Sequence, residues 1–339
     1  MTATSTHTPD TGPTTRSAPA FLQSPLLRFI LKRLAYTVIV LIGVMIAVFF
    51  LIQIVPGDPV RIALGTRYTP ESYAALQQAS GLDQPLFTQL VHYIGHAFTG
   101  DLGVSFRNGE PVTDTLLERL PATIALALAA IVVALLIAIP LGTWAALREG
   151  RTADNVIRVI SQFGISVPDF WMGILLIGVF STALGWLPSA GYRPLADGFW
   201  PWFSHLLLPA ITVGIVTGAI LTRYVRSSMV DVVNAPFVTT AESKGLGRGR
   251  IMLSHVGRNA LVPVLTISGI QFAGLLGGVI VVEVVFAWPG LGLLVYDSVA
   301  ARDYPMLQGA ILLIAVIFLI VNLVVDILYA VIDPRIRLS

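Results

Sequence analysis

Residues 122–147 read ATIALALAAIVVALLIAIPLGTWAAL, a continuous run without one charged side chain. A helix of about 20 apolar residues crosses the hydrocarbon core of a bilayer, so this run is long enough to span it. The rest of the chain has the same character, with 55% hydrophobic residues, 12% charged residues and a mean hydropathy of +0.81. This composition is typical of polytopic membrane proteins.

Six apolar runs emerge when the chain is scanned with a window of about 19 residues. The predicted spans are Leu34–Val55, Ala122–Leu147, Ile165–Leu184, Leu206–Arg223, Leu261–Phe286 and Leu307–Ile332. The third span has no sharp N-terminal boundary in the hydropathy scan, because residues 156–167 are also fairly apolar. The sequence therefore predicts an all-α membrane protein with six transmembrane helices.

The first 25 residues are rich in Thr, Pro and Ser and hold few large apolar side chains. We expect them to form a disordered N-terminal tail. They lack the short apolar core and small-residue cleavage site of a secretory signal, so the first span is predicted to be retained. Residues 26–339 are predicted to form one transmembrane domain.

The distribution of positive charge predicts the orientation of the chain. If six spans alternate, 15 of the 21 Lys and Arg residues fall on the side of the N-terminus and six fall on the other side. Cytoplasmic loops carry the excess of Lys and Arg, so both termini are predicted to be cytoplasmic. Loop 227–260 then lies in the cytoplasm, and residues 56–121 lie outside.

Residues 56–121 form a long hydrophilic insertion, which is long enough to cap the outer mouth of a pathway. Gly and Pro residues bracket two predicted short helices, Pro70–Ser80 and Gln84–Phe98. His92 and His96 lie four residues apart and could share one helix face as metal ligands. Because no third ligand is evident, an amphipathic surface helix with two solvated histidines is the favoured interpretation.

Motifs for ATP binding and for hydrolysis are missing from the sequence. There is no GxxxxGK[ST] pattern, and the only lysines, Lys32 and Lys244, do not stand in such a setting. Neither HExxH nor GxSxG occurs, and a chain without cysteine has no thiolate metal site. We therefore predict that the chain is not an enzyme and holds no metal or cofactor of its own.

A polar, basic segment interrupts the apolar runs at residues 237–265, FVTTAESKGLGRGRIMLSHVGRNALVPVL. Its short helical patterns alternate with small residues, which is too ordered for a linker. Phe237, Ile251 and Leu253 would supply apolar anchors among the basic side chains, as in a docking element. The glycines of GLGRG follow no strand, so a phosphate loop is not indicated.

Small residues recur on one face of the fifth span. They are Gly269, Ala273, Gly274, Gly277 and Gly278. Such a face allows two helices to approach closely in lipid, and packing is favoured here over direct contact with a transported solute. Both roles are compatible if this helix lines a pathway.

Three acidic residues lie in or near the spans, where a charge facing lipid is costly. Asp169 stands at the predicted kink SVPDF, Glu283 near the outer end of the fifth span, and Asp326 near the cytoplasmic end of the sixth. Each is expected to face a cavity, a partner helix or the interface. Ion pairing and pathway lining both remain open, and the sequence names no partner for Glu283 or Asp326.

The segment VTTAESKGLGRGRIMLSHVGRNALVPVL, within residues 237–265, resembles the cytoplasmic EAA-type coupling segment of ABC importer permeases. The extended form is that of the B-type membrane subunit in the dipeptide/oligopeptide/nickel permease family. Further motifs in the same order are PGDPV, GLDQPLFTQLVHYIGHAFTGDLGVSF, LLERLPATIAL, ISVPDFWMGILLI, LPAITVGI, VVEVVFAWPGLGLLVYDSV, DYPMLQGA and VVDILYAVIDPRIR. The resemblance implies the type I ABC importer permease fold in a bacterial inner membrane.

By this resemblance, the EAA-to-Gly element falls on Thr239, Thr240, Ala241 and Gly245, with Glu242 and Lys244 between them. A short helix here is expected to dock on a separate ATPase subunit, and Gly245 is expected to take the turn that ends it. The sequence departs from the family pattern in two places. Thr239 replaces the Glu that names the motif, and Glu242 stands where relatives often carry a basic residue.

The resemblance also implies partners. Two ATPase subunits would hold ATP and Mg²⁺, a second homologous permease would complete the pathway, and an external solute-binding protein would deliver short peptides. Lipid is the surrounding medium, and no nucleic acid is expected. Nickel or glutathione remains an alternative cargo, an ion-coupled secondary transporter is the alternative from another class, and a membrane-embedded enzyme is the least favoured.

Overall fold

The computed structural model describes residues 25–54 and 57–332, and over these ranges the protein is built from helices. The helices are α1 Pro25–Ile54, α2 Pro59–Leu64, α3 Pro70–Ala79, α4 Leu86–Phe98, α5 Val112–Leu147, α6 Thr152–Ser166, α7 Asp169–Leu176, α8 Phe199–Val233, α9 Pro236–Ser243, α10 Arg248–Arg250, α11 Arg258–Gly278, α12 Ile280–Val285, α13 Leu291–Ala301 and α14 Tyr304–Ile332. Two π-helical segments, Ile177–Ala183 and Ile251–Gly257, extend α7 and precede α11. The all-α prediction is confirmed, while residues 1–24 of the predicted N-terminal tail lie outside the described residues and Pro25 already belongs to α1.

Five helices in the described ranges are long and apolar enough to cross a membrane, and a sixth crossing results if one bent pair counts as a single span. The bent pair joins Thr152–Ser166 to Asp169–Ala183 at an angle of 100°. Pro168 causes the break, because a residue before proline is pushed out of the helical region, and Val167 has extended backbone angles. The predicted third span, Ile165–Leu184, therefore starts with a corner rather than as a straight helix.

The predicted fifth span, Leu261–Phe286, is also interrupted. Helix α11 ends at Gly278, Val279 leaves the helical conformation with ψ near 9°, and α12 restarts at Ile280. The predicted second and fourth spans are shorter than the helices that contain them. At 1.5 Å per residue, α5 and α8 each reach about 50 Å, well beyond a hydrocarbon core of about 30 Å.

Helix α8 lies at the centre of the bundle, and α1 and α14 lie at its periphery. In the most apolar window of each helix, 67% of the residues are buried in α8, 17% in α1 and 6% in α14. The side chains that α1 and α14 leave exposed are apolar, among them Ile39, Leu51, Ile320 and Val324. Such faces are suited to lipid or to another apolar helix.

Helices α5 and α8 form the closest pair, because glycine occupies their contact. A Cβ atom on Gly214 would lie 2.5 Å from Cγ1 of Val133, and one on Gly142 would lie 2.6 Å from Cβ of Val225. A Cβ on Gly218 would lie 3.2 Å from the carbonyl oxygen of Ala134. The two backbones therefore approach as small residues permit in lipid.

Ion pairs join α1 to α14 and α6 to α8. Nε of Arg33 in α1 donates to Oδ2 of Asp326 in α14 at 2.5 Å. Arg226 in α8 makes a two-pronged contact with Asp154 in α6, at 2.5 Å from Nε and 2.7 Å from Nη2. Two parallel N–H···O bonds hold the orientation of the guanidinium as well as its position.

The insertion between α1 and α5 contains α2, α3 and α4, so both predicted short helices are confirmed. Its last segment is tied to the start of α14 by the buried Asp303. The Ser105 hydroxyl donates to Oδ2 of Asp303, and the Phe106 N–H donates to Oδ1 at 3.1 Å. The insertion is thereby fixed at the end of the bundle where α5 begins, which we call the insertion end.

The small face of α11 allows a matched test of packing. A Cβ atom on Gly269 would lie 2.4 Å from Cγ2 of Val325 in α14, whereas nothing lies within 4 Å of one on Gly274. We expect Gly269→Ala to destabilise the protein by about 1–3 kcal/mol through overpacking. Gly274→Ala should be neutral or slightly stabilising, because alanine is the better helix former.

The measurement is the fraction of monodisperse protein that survives heating in detergent. Equal losses in the two variants would contradict the proposed α11–α14 contact.

Candidate functional site

The short helix α9 lies at the end of the bundle where α5 ends, which we call the coupling end. Pro236 occupies its first turn, where the missing N–H costs nothing. Val238 and Ala241 are buried in one apolar cluster together with Val225 and Met229 of α8. Two small apolar side chains, one turn apart, thus hold α9 against the bundle.

Gly245 ends α9 with a Schellman motif. Its φ of 77° is left-handed, the Gly245 N–H donates to the Glu242 carbonyl at 2.9 Å, and the Leu246 N–H donates to the Ala241 carbonyl at 3.3 Å. Glycine suits this position because other L-residues rarely adopt positive φ. The expected role of Gly245 in turning the backbone is therefore present in the structure.

The face of α9 opposite its buried side carries polar and small residues. The exposed residues include Thr239, Thr240, Glu242, Ser243, Lys244 and Gly245, and Phe237 is 41% exposed beside them. The Thr240 hydroxyl donates back to the Pro236 carbonyl at 3.1 Å. We call this face the α9 platform; it has one apolar corner and one charge of each sign.

Ile251 is not a docking anchor, contrary to the sequence-based expectation. It is 1% exposed and packs in the same cluster as Val238 and Ala241. The π-helical segment that contains it also buries Val256, and the chain runs on without a break into α11. The segment therefore packs against the buried side of α9. The side chain of Leu253, the third expected anchor, lies outside the described residues.

Glu283 is the centre of a hydrogen-bonded clamp at the insertion end. It is fully buried, its Oε1 accepts from the Thr123 hydroxyl of α5 at 2.8 Å, and its Oε2 accepts from the Leu293 N–H at 3.0 Å. The Leu291 N–H donates to the Thr123 oxygen at 2.8 Å. The carboxylate thus stands at the N-terminus of α13, where backbone N–H groups and the helix dipole favour negative charge.

The backbone at Gly290 and Gly292 lies very close to the Glu283 carboxylate. A Cβ atom on Gly290 would lie 2.1 Å from Oε1 of Glu283, and one on Gly292 would lie 2.9 Å from Oε2. The Trp288 indole donates from Nε1 to the Ala122 carbonyl at 2.9 Å. The sequence WPGLG therefore wraps around Glu283 and fastens α12 and α13 to α5.

The other candidate residues lie in separate places. Ala273 is fully buried, Gly277 approaches Ile314 of α14, Gly278 is the last residue of α11, and Asp326 is paired with Arg33. Asp169 is half-buried at the first residue of α7, where the helix N-terminus favours a carboxylate. The structure does not join these residues into one site.

His96, one of the two histidines of the insertion, faces a carboxylate. His96 Nδ1 lies 3.0 Å from Oδ2 of Asp101, and the Gly103 N–H donates to Oδ1 of Asp101 at 3.0 Å. The Gly103 N–H and then the His96 ring hold the pKa of the Asp101 carboxyl below its ordinary value. In the part of the chain that the structure describes, no group of three or more candidate ligands could hold a metal ion.

Sequence patterns did not reveal the partners of the buried acids. Thr123 and Glu283 are 160 residues apart, and Arg33 and Asp326 are 293 residues apart. For Arg33 and Asp326 the sequence did hold one signal of pairing: they carry opposite charges, and both lie near the predicted cytoplasmic ends of their spans.

The described residues form a multi-pass apolar bundle with a short polar platform at one end, the architecture of an integral membrane protein. Residues 138–338 match the family described as "Binding-protein-dependent transport system inner membrane component". Residues 26–127 match the family "Binding-prot-dependent transport system membrane comp, N-term". The chain belongs to this family and is an ABC importer permease of the peptide/nickel type, a multi-pass protein of the inner membrane.

Relatives match over nearly the whole chain. The glutathione transport system permease protein GsiC of Escherichia coli (strain K12) is 42% identical over 312 residues, which covers 92% of this chain and 99% of that protein. The GsiC protein of Salmonella choleraesuis is 41% identical over the same length.

Among solved structures, a native crystal form of the MetNI methionine ABC transporter in inward facing conformations matches with a TM-score of 0.55. The sequence identity is 16%, and the match covers 66% of this chain and 99% of that chain. At this identity the likeness supports the fold alone.

The Schellman turn can be tested without touching any contact. Nothing lies within 4 Å of a Cβ atom on Gly245, so a substitution acts through the backbone only. Gly245→Val should strain or shift the end of α9 by about 1–2 kcal/mol, whereas Gly245→Asn should be tolerated. We expect Gly245→Val to reduce ATP hydrolysis by the assembled transporter several-fold, with Gly245→Asn near wild type.

The measurement is phosphate release in liposomes at equal permease content. If both variants hydrolyse ATP like wild type, the left-handed turn is unimportant for coupling.

The Glu283 clamp predicts a graded loss of stability. Glu283→Ala removes both acceptors and leaves the Leu293 N–H and the Thr123 hydroxyl without them, at a cost of about 2–4 kcal/mol. Glu283→Gln keeps the shape and one carbonyl acceptor, so the loss should be smaller. Thermal unfolding in detergent measures both. An alanine variant as stable as wild type would contradict the clamp.

Proposed function

We propose that this chain forms half of the translocation pathway of an ATP-driven importer for short peptides. The observation that carries the proposal is the similarity to glutathione permeases along 92% of the chain. Glutathione is a tripeptide, so it falls within the proposed cargo class. Glutathione alone is the second candidate cargo, narrower than short peptides in general. It is favoured because the similar proteins are named as glutathione permeases.

The α9 platform is the proposed docking site for an ATPase subunit. Support comes from its geometry, because the face with Thr239, Thr240 and Glu242 is exposed while Val238 and Ala241 are buried in the apolar cluster that also holds Ile251 of the π-helical segment. A force applied to α9 would reach the π-helical segment that runs into α11. ATP and Mg²⁺ are bound by the ATPase subunits in this proposal, since the chain contains no phosphate-binding loop of its own.

The remaining parts of the transporter are proposed from the family and the charge pattern. Both termini and α9 lie in the cytoplasm, and the insertion faces outward, where it contacts the solute-binding protein or caps the cavity. A second homologous permease provides the other half of the pathway. Two ATPase subunits then serve the two permeases.

An ion-coupled secondary transporter would need acidic residues available for ions in the bundle interior. Asp326 is instead paired with Arg33, and Glu283 is engaged with Thr123 and the N-terminus of α13. Both carboxylates therefore have structural partners, which supports coupling to ATP over coupling to an ion gradient.

The decisive experiment purifies the tagged chain from its native membrane and identifies the proteins that remain bound. The complex is then placed in liposomes with its binding protein, and ATP hydrolysis is measured with trialanine, glutathione or Ni²⁺ as the added solute. We expect two ATPases and a second permease to co-purify. Hydrolysis should rise with the peptides and fall in the Gly245→Val variant, with Gly245→Asn as the matched control.

Stimulation by glutathione but not by trialanine would select the narrower cargo, and stimulation by Ni²⁺ alone would contradict the peptide proposal. If the chain purifies alone and moves solute on an ion gradient without ATP, the proposed coupling role fails.

A further inference from the structure

Among the three acidic residues predicted to lie in or near the spans, Asp169 alone has no partner in the part of the chain that the structure describes. Asp326 is paired with Arg33, and Glu283 accepts from Thr123. Asp169 stands at the first residue of α7, where the helix dipole favours its charge, but neither of its carboxylate oxygens accepts a hydrogen bond or pairs with a cation. Its role is therefore not explained by the packing of this chain.

Contacts with α8 place the corner between α6 and α7 near the middle of the bundle. A Cβ atom on Gly164 would lie 2.8 Å from Cβ of Ala219, and one on Gly173 would lie 3.4 Å from Cγ2 of Thr212. Asp169 lies between Gly164 and Gly173 along the chain, so it is level with the part of α8 between Thr212 and Ala219. That part includes the midpoint of α8. The carboxylate is therefore far from both membrane surfaces.

Asp169 belongs to the face of α7 that is directed into the bundle. Gly173 follows Asp169 by four residues, and residues with this spacing share a helix face. On that face, a Cβ atom on Gly173 would lie 3.0 Å from Cε2 of Phe286, at the end of α12, and it also approaches Thr212 of α8. Trp171 is on the opposite face of α7 and is 47% exposed. The apolar outer face is suited to lipid, whereas the carboxylate is not on that face.

The Asp169 carboxylate remains accessible although its face is directed inward. The residue is only half-buried, and its oxygens are not among the unpartnered side-chain atoms that are closed off from solvent in the described residues. Water or a ligand can therefore reach the carboxylate from the open side. Ionisable residues that face a bundle interior at this depth mark substrate or ion pathways, because a charge is costly in lipid.

The chemistry of a carboxylate selects a positively charged donor. An ionised carboxylate only accepts hydrogen bonds, and bonds from a cationic N–H group are about twice as strong as neutral ones. Every peptide with a free N-terminus carries an α-ammonium group, whose pKa is about 8. This is the one cation that peptides share whatever their side chains are. A carboxylate in the pathway could therefore hold many different peptides through the same group.

We propose that Asp169 binds the α-ammonium group of the transported peptide near the middle of the pathway. This inference rests on the proposed function, because it takes a peptide as the solute and a second permease as the opposite wall. It deepens that function by naming a residue that contacts the solute in transit. The peptide's ammonium replaces the partner that this chain does not provide.

The accessibility of position 169 is tested with a single cysteine, because the chain has none of its own. The assembled complex with Asp169→Cys is treated in lipid nanodiscs with a charged, water-soluble thiosulfonate, and labelling of this chain is measured by mass. Ile320→Cys is the control, because Ile320 is 51% exposed on the peripheral helix α14. We expect labelling at position 169 and none at position 320, since a thiol in apolar surroundings stays protonated and inert. Absence of labelling at position 169 in the assembled complex overturns the proposal.

The ligand is tested on the complex in nanodiscs without its binding protein, titrated with trialanine or N-acetyl-trialanine. Saturation-transfer NMR detects the weak binding expected in a pathway. Asp169→Asn keeps the shape and removes the charge, and it should weaken trialanine binding about three- to tenfold, whereas Asp169→Glu should retain most of it. N-acetyl-trialanine has no ammonium group and should bind equally to wild type and to Asp169→Asn. Asp297→Asn is the matched control, because Asp297 is an exposed carboxylate on α13.

Unchanged co-purification and thermal stability establish that the Asp169 variants remain folded and assembled. The proposal is overturned if wild type shows no saturable binding of trialanine, or if Asp169→Asn binds trialanine like wild type. Equal weakening of both peptides also overturns it, because Asp169 would then only shape the site. If Asp169→Asn releases the second permease, the carboxylate pairs with a cation of that subunit and the proposal is wrong.

Failure of this assignment is distinguishable from failure of the proposed function. Peptide-stimulated ATP hydrolysis by the wild-type complex with its binding protein tests the function alone. If that stimulation is present while Asp169→Asn binds trialanine like wild type, only the role of Asp169 is wrong. If wild type moves trialanine on an ion gradient without ATP, the proposed function fails, and Asp169 becomes a candidate for the coupling ion instead.

Discussion

The contact between α5 and α8 leaves no room for a Cβ atom at Gly142 or Gly214, and the rest of the bundle is arranged around it. In a bilayer, an apolar side chain that leaves lipid to contact another helix gains little free energy from the hydrophobic effect, because lipid is equally apolar. Helices in lipid therefore associate through close packing. Glycine provides that closeness along two helices that are each longer than the membrane is thick. Helix α6 then joins through the buried Asp154–Arg226 pair, and α11 joins through the cluster of Val238 and Ala241.

Hydropathy predicted the helical class because a bilayer forces backbone polar groups to bond within each span. The spacing of Pro and Gly, rather than hydropathy, located α3 and α4. The kink at SVPDF was predicted, and the break at Val167 confirms it, whereas the break at Val279 was not predicted, because it is a change of backbone angle inside a run that remains apolar throughout. Hydropathy averages over such positions, although the proline at 168 gives a local reason for the first break.

The acidic residues show where prediction from sequence stops. Their cost in an apolar environment correctly marked them as residues that need partners. The identity of each partner depends on which helices are neighbours, and that is a property of the three-dimensional packing. Glu283 is satisfied by Thr123 and by backbone N–H groups, which carry no sequence signal at all. The α9 platform was easier to find, because positive φ at Gly245 follows from local chain chemistry.

The two ends of the bundle are built differently, and this difference bears on how movement is transmitted. At the coupling end, α9 is attached by small apolar side chains, whose contacts tolerate sliding because they are not directional. At the insertion end, directional hydrogen bonds from Thr123, Leu293 and Trp288 lock α12 and α13 to α5. Helix α8 runs between them as one helix, from Phe199 to Val233. Movement imposed on α9 would therefore meet little directional resistance at its own attachment and would be resisted at the clamp, while the helices are already interrupted at Val167 and Val279.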